Sequence, residues 1–499
     1  MRDVPMTLGT DRPVIFWFRQ DLRISDNPGL AAAVDTGRPV VPVYILDDAM
    51  ASRRRPGGAS RWWLHHSLAS LGHELAALAG GAIERPTLIL RRGGAETVLR
   101  SLIAETEAAA VFWTRCYEPE AMARDNHIKR ALARDGIEAR NFDGSLMFEP
   151  WTIATAQGSP YRVFTPYYRA CMARSPPPPL PPPLHLQTTA VPPPSEPLED
   201  LELLPIPDWA GGLRSAWTPG EAGARACLKV FLEEALATYK RNRDHPDRRG
   251  TSRLSPYLHF GEIGPRQIWQ AVQLRSAEAA SADGGAYLRQ LIWREFSYHL
   301  LYHFPDLPDG PLRPEFNQFP WRDDPEALSA WQRGRTGYPI VDAGMRELWA
   351  TGWMHNRVRM IVASFLVKDL LLPWQAGEAW FWDTLVDADL ANNAASWQWM
   401  AGCGADAAPY FRNFNPVSQG RRADPEGSYV RRWVPELARL PAAHIHAPWN
   451  APASVLRDAR IRVGRDYPMP VVDHDAARQR ALTAFQTIRQ QSRGVAAPG

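Results

Sequence analysis

A change in hydrophobic pattern near the middle of the chain most restricts the folds open to it. Before residue 150, five short apolar runs alternate with helical patterns, at 14–18, 40–46, 87–90, 110–113 and 137–142. Short buried strands separated by helices predict a parallel, Rossmann-like α/β sheet with right-handed crossovers. After residue 219, strand patterns nearly vanish and helical periodicity continues to about residue 492. We therefore predict an N-terminal α/β domain with a five-stranded parallel sheet and an all-α C-terminal domain.

Proline marks the boundary between the two patterns. The segment 175–197 contains three proline runs, and few apolar residues lie between them. Such runs favour extended polyproline II structure, so we predict a stiff, exposed connection. A ligand for a proline-recognition domain is the alternative. The predicted bounds are 1–150 for the α/β domain, 151–219 for the connection and 220–499 for the helical domain.

Composition excludes several classes of protein. Of 499 residues, 45% are apolar and 22% charged, which excludes disordered and collagen-like chains. No stretch approaches the roughly 20 apolar residues that span a bilayer, and residues 1–13 lack the apolar core of a signal peptide. The four cysteines lie far apart without a CxxC pair, so we expect no metal site and a reduced, cytoplasmic protein. The net charge of +3 is compatible with nucleic-acid binding.

Tryptophan is unusually frequent, with 20 Trp against 17 Phe and 14 Tyr. A buried indole N–H needs a partner, so this excess favours stacking or redox use, although a large aromatic core explains most of it equally well. Neither GxGxxG nor GxxxxGK[ST] follows the first predicted strand, so no dinucleotide fingerprint or P-loop is predicted.

The first candidate site is a hydroxyl-rich segment at the predicted start of a helix. It consists of Thr251, Ser252, Arg253, Leu254 and Ser255. Backbone N–H groups and the helix dipole favour a phosphate there, but a helix capped by a Thr or Ser side chain fits the pattern as well. The basic residues upstream, at 240–243 and 248–249, fit either a solvated helix face or contacts to a phosphate backbone.

The second candidate site places polar side chains along one predicted helix. Asp389, Asn393 and Trp397 recur at i, i+4 and i+8, which puts them on one face. Buried Asp and Asn need partners, and a polar heteroaromatic ligand would supply them. Arg359 is a candidate ion-pair partner for Asp387.

The third candidate site combines amides with indoles. Gln290 and Trp293 share a helix face at i, i+3, where an amide and an indole can hydrogen-bond and stack on a base. Trp399 is a candidate second aromatic wall. The remaining candidates supply a polar and soft lining: Asn356, Arg357 and Met360.

Several sequence blocks together resemble the photolyase/cryptochrome flavoproteins over nearly the whole chain. The blocks, in the order of that family, are FWFRQDLRISDNPGL, TSRLSPYLHFGEI, WREF, GRTGYPIVDAGMRELWATGWMHNR and DADLANNAASWQW. Two further blocks, SRWWL and DPEGSYVRRWVPELARLP, look most like plant cryptochromes and the bacterial photolyases nearest to them. The resemblance implies an N-terminal antenna domain and a helical C-terminal domain that binds FAD.

The resemblance also implies which residues bind FAD. The matching positions are Tyr239, Thr251, Ser252, Arg253, Leu254, Ser255, Asn356, Arg359, Asp387, Ala388, Asp389 and Asn393. Among these, Asn393 matches the position that faces flavin N5, where photolyases have Asn and plant cryptochromes have Asp. A neutral amide can stay beside an anionic reduced flavin, so this position favours repair over plant-type signalling.

Three further sets of residues match functional positions of the family. A tryptophan chain from flavin to surface matches Trp397, Trp374 and Trp321. The catalytic lesion pocket matches Gln290, Trp293, Asn356, Met360 and Trp399. The DNA-binding positions match Arg243, Gln290, Trp293, Arg294, Asn356, Arg357, Trp399, Arg412 and Gln419.

The resemblance favours light-driven repair of cyclobutane pyrimidine dimers by a monomer, with damaged DNA as its partner and no metal. Asn356 with Met360 matches the cyclobutane-dimer pattern, whereas (6-4) enzymes carry paired histidines in this helix. Gln290 departs from that pattern, because cyclobutane-dimer enzymes usually have Glu there. The alternatives are therefore a blue-light photosensory cryptochrome without repair activity, or repair of (6-4) lesions. For the antenna chromophore, methenyltetrahydrofolate is expected rather than a deazaflavin.

Overall fold

The computed structural model describes residues 12–47, 55–81, 87–278, 283–407 and 412–495. It divides into two compact units. The first comprises Met1–Ile153, Ala170–Leu232 and Arg253–Ala280, and the second Ala154–Arg169, Glu233–Ser252 and Ser281–Gly499. Both units take residues from the stretch predicted as a connection, and the linear bounds 1–150, 151–219 and 220–499 stay a prediction.

The first unit is built on a five-stranded parallel sheet. Its strands are β1 (Val14–Phe18), β2 (Val40–Leu46), β3 (Ile89–Arg92), β4 (Ala110–Thr114) and β5 (Glu138–Phe142). They lie in the order β3-β2-β1-β4-β5, with Val14 opposite both Val40 and Ala110. Every residue of β1 and β4 is buried, which explains why these strands are continuous apolar runs rather than alternating ones. The predicted α/β sheet is confirmed.

Helices connect the strands of the first unit. They are α1 (Pro28–Val34), α2 (Gly58–Leu78), α3 (Ala95–Thr106) and α4 (Pro119–Arg134). The sequence analysis does not find α1, because its first residues form the turn-like pattern Asp-Asn-Pro-Gly. The helix begins there because Asn27 caps it, accepting a hydrogen bond from the Leu30 N–H at 3.1 Å, and Pro28 occupies the first turn.

The proline-rich segment 175–197 has no helix or strand, and it is bonded to the first unit. Four backbone hydrogen bonds of 2.8–3.0 Å join it to the sheet and its helices: Asp26 N to Leu180 O, Leu186 N to Leu78 O, Val40 N to Gln187 O and Glu196 N to Leu90 O. Leu186 is fully buried. The segment is extended as predicted, but the expectation of a wholly exposed connection was wrong at these anchor points.

Further helices lie between residues 164 and 278 and belong to both units. They are α5 (Phe164–Met172), α6 (Gly211–Ala216), α7 (Glu221–Val230), α8 (Tyr239–Asn242), α9 (Ser255–His259) and α10 (Pro265–Glu278). The helical periodicity predicted after residue 219 is interrupted here, because a π-helical turn at Phe231–Ala235 follows α7.

In the described ranges, the second unit is helical. From residue 283 onwards its α-helices are α11 (Asp283–His303), α12 (Pro325–Gln332), α13 (Pro339–Thr351), α14 (Asn356–Ser364), α15 (Trp374–Thr384), α16 (Leu390–Ala401), α17 (Pro416–Ala423), α18 (Ser428–Trp433), α19 (Ala442–Ile445), α20 (Ala453–Asp458) and α21 (His474–Val495). One apolar cluster running from Phe316 to Ile488 forms their core. No helix of the described ranges is long and apolar enough to cross a membrane.

Two helical patterns that look continuous in sequence are broken in the structure. The pattern over 342–366 breaks at Gly352, which caps α13 in the left-handed region with φ of 66°. The pattern over 378–393 breaks at Leu385, whose backbone is extended, and helix resumes after Asp389. Asp387 and Asp389 lie in the second break, outside the regular helices, and both belong to the candidate site.

Gly377 in α15 allows a close approach to α16. A Cβ added at this position would lie 2.1 Å from Cη2 of Trp397 and 2.6 Å from Cδ2 of Leu366. Both neighbours are buried, so neither can move aside freely.

We therefore expect Gly377→Ala to lower the free energy of unfolding by about 1–3 kcal/mol, through overpacking against the Trp397 indole. Urea unfolding followed by circular dichroism measures this. Gly285→Ala is the matched control, because no atom lies within 4 Å of its added Cβ in α11, and it should be neutral or stabilising by about 0.5–1 kcal/mol. Equal effects of the two substitutions would contradict the close contact.

Candidate functional site

Asp389 lies at the start of α16, where its carboxylate is fully engaged. Oδ1 accepts hydrogen bonds from the Asn392 N–H at 2.8 Å and from Asn392 Nδ2 at 2.7 Å, and Oδ2 accepts one from the Tyr298 hydroxyl. The residue is 7% exposed. Asp389 is therefore an N-cap rather than the first member of a helical stripe, so the predicted i, i+4, i+8 face holds only for Asn393 and Trp397.

Asn393 is buried and oriented by a glutamate that the sequence analysis missed. Its Nδ2 donates to Glu378 Oε1 at 2.9 Å and to the Glu378 carbonyl at 3.1 Å. Glu378 lies on α15, fifteen residues earlier, and is itself buried. No helical or strand spacing relates the two positions, so only the packing of α15 on α16 brings them together.

The predicted ion pair between Arg359 and Asp387 is confirmed. Arg359 Nη2 lies 3.0 and 2.8 Å from the two carboxylate oxygens, and Nε donates to the Met354 carbonyl at 2.7 Å. Asp387 precedes α16 in the irregular link, next to the buried Ala388. The pair joins α14 to this link and fixes the guanidinium from two sides.

The hydroxyl-rich segment does not cap a helix. The residue before α9 is Leu254, which has no side-chain oxygen, and Arg253 before it has a positive φ of 54°. The capping alternative was therefore wrong. The Arg253 guanidinium lies 4.2 Å above the Trp217 ring, within the first unit. Leu254 is buried and Ser255 begins α9.

In the second unit, the hydroxyl-rich segment meets two tyrosines. Tyr287 donates a hydrogen bond from its hydroxyl to Ser252 Oγ at 2.9 Å, and Tyr239 packs edge-to-face on Tyr287 at 5.3 Å. Thr251 lies beside Ser252 and is partly exposed. These hydroxyl groups suit an anionic, phosphate-bearing ligand.

A chain of polar contacts brings the predicted lesion-pocket and DNA-binding residues together. Arg243 Nη2 donates to Gln290 Oε1 at 3.3 Å, and Arg243 Nε lies 3.9 Å from Asp244 Oδ1. The same oxygen lies 2.8 Å from Arg357 Nη2. Arg357 Nη1 lies 4.0 Å from the Met360 sulfur. Asn356 Nδ2 approaches that sulfur at the same distance. We call these six residues the polar rim; the sequence analysis missed only Asp244.

Trp293 has a fixed ring orientation. Phe164 stacks on it with ring centroids 3.6 Å apart and an interplanar angle of 6°. Phe164 was not predicted, because it lies far upstream in sequence and carries no motif of its own. One face of the indole is thus covered, and the stack sets the plane in which the other face can bind a base. The Arg294 guanidinium is engaged beside it, 4.8 Å above the Tyr298 ring.

The three tryptophans predicted for electron transfer belong to one apolar cluster. Trp397 and Trp374 are buried and Trp321 is partly buried at its edge. Trp397 contacts the Phe381 ring at 5.1 Å, and Trp321 contacts the Phe319 ring at 4.3 Å. Two of the three indoles are interior and Trp321 is more exposed, an arrangement that suits a relay from the interior to the surface.

The remaining predicted DNA-binding residues lie elsewhere on the second unit. Arg412 is exposed, and its carbonyl accepts a hydrogen bond from the buried Lys368 Nζ at 2.9 Å. Gln419 lies in α17, just before the basic pair Arg421 and Arg422. Trp399 lies on α16 and, like Met360 of the polar rim, packs against the apolar core.

His355 is the N-cap of α14, between the polar rim and the Arg359–Asp387 pair. Its Nδ1 accepts a hydrogen bond from the Arg357 N–H at 3.2 Å. Its Nε2 is buried and, in the described part of the chain, has no hydrogen-bond partner. Burial, together with the neighbouring Arg357, Arg359 and Arg243, lowers the pKa of His355 to about 4, against the opposing effect of Asp244. The imidazole is therefore neutral at pH 7.

The buried polar groups of the second unit match the chemistry of FAD. Carboxylates, a guanidinium and an amide (Asp387, Asp389, Arg359 and Asn393) can bind the polar edge of a flavin, and the hydroxyls of Thr251, Ser252 and Tyr239 can bind phosphate and ribityl oxygens. A helical core keeps so many polar groups only where a ligand or a partner satisfies them. Among the described residues, no group of three His, Cys, Asp or Glu side chains is arranged to bind a metal.

The low pKa of His355 gives a stability prediction. Folded His355 binds its proton only near pH 4, whereas the unfolded chain binds it near 6.5, so stability falls as pH drops from 6.5 towards 4. The measurement is urea unfolding at pH 7 and at pH 5. Between these two values the free energy of unfolding of His355→Asn, which retains a capping acceptor, should fall by about 2 kcal/mol less than that of the unchanged protein. The same loss in both proteins would show that His355 is not buried in its neutral form.

Comparisons with known proteins agree with this geometry. A family model described as the DNA photolyase domain matches residues 14–184, and one described as the FAD binding domain of DNA photolyase matches 287–487. A protein of Agrobacterium fabrum named deoxyribodipyrimidine photo-lyase is 51% identical over 480 residues, 96% of this chain and 98% of that protein. Cryptochrome-2 of Arabidopsis thaliana is 40% identical, over 96% of this chain and 80% of that protein.

A solved structure shows the same similarity to photolyases. A bacterial class III photolyase from Agrobacterium tumefaciens superposes with a TM-score of 0.93 at 50% identity, covering 98% of this chain and all of that one. The matches extend over both units. Arg359, Asp387, Asp389 and Asn393 fall within the match to the FAD binding domain, whereas Tyr239 and residues 251–255 lie between the two family matches. The chain belongs to the photolyase/cryptochrome family.

Proposed function

We propose that this protein is a deoxyribodipyrimidine photo-lyase, which uses blue light to split cyclobutane pyrimidine dimers in DNA. The observation that carries the proposal is the polar rim, where residues from three separate segments meet around Arg243 and Arg357. The Agrobacterium relative that bears this enzyme name supports it at 51% identity.

FAD is the cofactor of the proposed reaction, and when bound and fully reduced it supplies the electron that a photoexcited flavin gives to the dimer. The residues that would bind it are Tyr239, Thr251, Ser252, Arg253, Leu254, Ser255, Asn356, Arg359, Asp387, Ala388, Asp389 and Asn393. The protein contributes distance, polarity and substrate geometry. In particular, Glu378 holds the Asn393 amide in one orientation.

The lesion pocket would use Trp293 as its aromatic wall. Phe164 already stacks on one face, so the ring needs little reordering when a base binds the other. Gln290, Asn356 and Met360 would line the pocket with two amides and a polarisable sulfur. Trp399 would supply a further wall.

DNA binding would rest on the positive charges of the second unit. Arg243, Arg357, Arg294 and Arg412, with Gln419, would contact phosphates and fix the protein on the duplex. Photolyases are among the enzymes known to extrude their target nucleotide, and the pyrimidine dimer would leave the stack in the same way. Trp397, Trp374 and Trp321 would return the flavin to its reduced state by passing electrons inwards.

The polar rim favours cyclobutane dimers over (6-4) lesions. Asn356 and Met360 occupy the positions where (6-4) enzymes carry histidines, and both approach each other at 4.0 Å. A photosensory cryptochrome is the second candidate, supported by the 40% identity to Arabidopsis cryptochrome-2 and by Gln290. Asn393 opposes it, because plant cryptochromes have a carboxylate there.

We propose methenyltetrahydrofolate rather than a deazaflavin as the antenna chromophore. In an open α/β sheet a flat ligand binds beyond the carboxyl ends of the strands where the strand order reverses, here between β1 and β4. Arg19, directly after β1, is buried there and donates a hydrogen bond to the carbonyl of Thr114, the last residue of β4. The Trp17 ring lies between the guanidinium groups of Arg19, at 4.7 Å, and Arg124, at 4.9 Å. Arg19 also forms a buried ion pair with Asp125.

The proposal places the enzyme in the cytoplasm as a monomer. The four cysteines, all within the described residues, form no disulfide, which suits a reducing compartment. Size-exclusion chromatography with light scattering measures the oligomeric state.

Illumination of purified protein tests the function directly. With fully reduced flavin and blue light, we expect loss of cyclobutane dimers from an oligonucleotide that carries one, and no change in an oligonucleotide with a (6-4) lesion. Chromatography of the digested products measures both. Unchanged cyclobutane dimers would overturn repair, and loss of only the (6-4) lesion would overturn the proposed substrate.

The Arg359–Asp387 pair gives a cofactor prediction. Asp387→Ala leaves the guanidinium without its carboxylate and removes an acceptor for the flavin, at a cost of about 2 kcal/mol or more. FAD affinity, measured by reconstitution and absorbance, should fall at least roughly 30-fold. Asp458→Ala is the control, because this aspartate is exposed on α20 and should leave FAD binding unchanged.

A further inference from the structure

Asp244 lies between the two arginines of the polar rim. Its Oδ1 is 2.8 Å from Arg357 Nη2 and 3.9 Å from Arg243 Nε. In the part of the chain that the structure describes, it is the only acidic residue within ion-pair distance of either arginine. Asp244 follows Arg243 in sequence, whereas Arg357 lies more than a hundred residues later, in the first turn of α14. One carboxylate therefore bridges two guanidinium groups that come from different parts of the chain.

The effect of Asp244 extends through Arg243 to Gln290. Arg243 Nη2 donates to Gln290 Oε1 at 3.3 Å, and Gln290 Nε2 donates to the Ala286 carbonyl at 3.4 Å. The reverse orientation of the amide would place its NH2 group against the guanidinium, donor against donor, so these two contacts select one orientation. Gln290 therefore turns its oxygen towards Arg243.

Through Arg357, Asp244 also reaches the other side of the polar rim. Arg357 Nη1 lies 4.0 Å from the Met360 sulfur, and the Arg357 N–H donates to His355 at the start of α14. The guanidinium is thus fixed between a carboxylate and a thioether. Both arginines are about one quarter exposed, so they remain open to DNA.

We propose that Asp244 is a positioning residue that determines the selectivity of this site for damaged over intact DNA. The inference rests on the proposed function. Intact DNA offers phosphates to any guanidinium that can turn freely, and such contacts carry no information about the lesion. Asp244 holds Arg243 and Arg357 in one arrangement and offsets part of their positive charge. It therefore weakens their contacts to the phosphates of intact DNA, while their N–H donors stay directed at a pocket that holds the lesion.

The amide at position 290 increases the contribution of the Asp244 carboxylate to selectivity. With Gln290, Asp244 supplies the negative charge for Arg243. A carboxylate at position 290 would be a second anion within hydrogen-bond distance of the Arg243 guanidinium. The two carboxylates would then compete for this guanidinium. The contributions of positions 244 and 290 to selectivity should therefore be coupled rather than additive.

Dark binding by the full-length, flavin-loaded protein tests the proposal. The two probes are an oligonucleotide duplex with one cyclobutane dimer and the same duplex without it. Asp244→Asn should tighten binding to the intact duplex and lower the ratio of the two affinities roughly three- to tenfold. The slope of log affinity against log salt for the intact duplex should steepen by about 1, because one more phosphate contact becomes available.

Asp247→Asn is the matched control. It removes one carboxylate three residues away, and Asp247 lies 3.8 Å from Arg248 rather than near the bridged arginines. Selectivity should stay within twofold of the unchanged protein. An equal loss of selectivity in both variants would overturn the proposal, since it would reflect net charge alone. An unchanged ratio in Asp244→Asn with normal flavin absorbance would overturn it as well.

Further variants complete the test. Asp244→Glu keeps the charge and should retain the original salt slope. Asp244→Ala, which also removes the carboxylate, replaces Asp244→Asn if that protein does not fold. In a protein that also carries Gln290→Glu, Asp244→Asn should lower the logarithm of the affinity ratio by less than half of its effect in the presence of Gln290. Equal effects in the two proteins would contradict the coupling. If the unchanged protein does not prefer the damaged duplex at all, the proposed function fails, which is a separate outcome.

Discussion

The link between α15 and α16 is the feature on which the candidate cofactor site depends. A helix cannot leave carboxylates buried unless their oxygens find donors, and the break at Leu385 allows this for both aspartates of the link. Asp387 pairs with Arg359 across to α14, and Asp389 caps α16 while accepting from Tyr298 on α11. These bonds tie three helices together around a polar region inside an apolar core. Without them, the region would be a destabilising pocket of unpaired charge.

The polar rim follows a different principle. Its members are partly exposed, and each contact alone is weak, because solvent screens an exposed ion pair. Their value lies in orientation: a shared carboxylate aligns two arginines, and one arginine aligns an amide. Trp293, held flat by Phe164, adds a fixed aromatic plane. A preorganised rim of this kind suits recognition of a particular shape more than strong binding to any DNA.

The sequence-based predictions succeeded where a signal was local. The sheet strands were found because parallel strands buried on both faces are continuous apolar runs, and the Arg359–Asp387 pair was found because the residue types and motifs were known. They failed at α1, where turn-forming residues cap a helix, and at the anchored proline segment, where long-range backbone bonds override an exposed composition. The breaks at Gly352 and Leu385 were hidden because apolar residues continue through them.

The sequence by itself determined the α/β and all-helical halves, the family, and most residues of the candidate site, because hydrophobic period and residue type are written along the chain. Only the tertiary structure decided which of those residues meet. Glu378 behind Asn393, Phe164 on Trp293 and Asp244 between Arg243 and Arg357 lie on separate segments joined by packing. No spacing rule relates such positions, since contact between them is fixed by how whole helices pack and where they break.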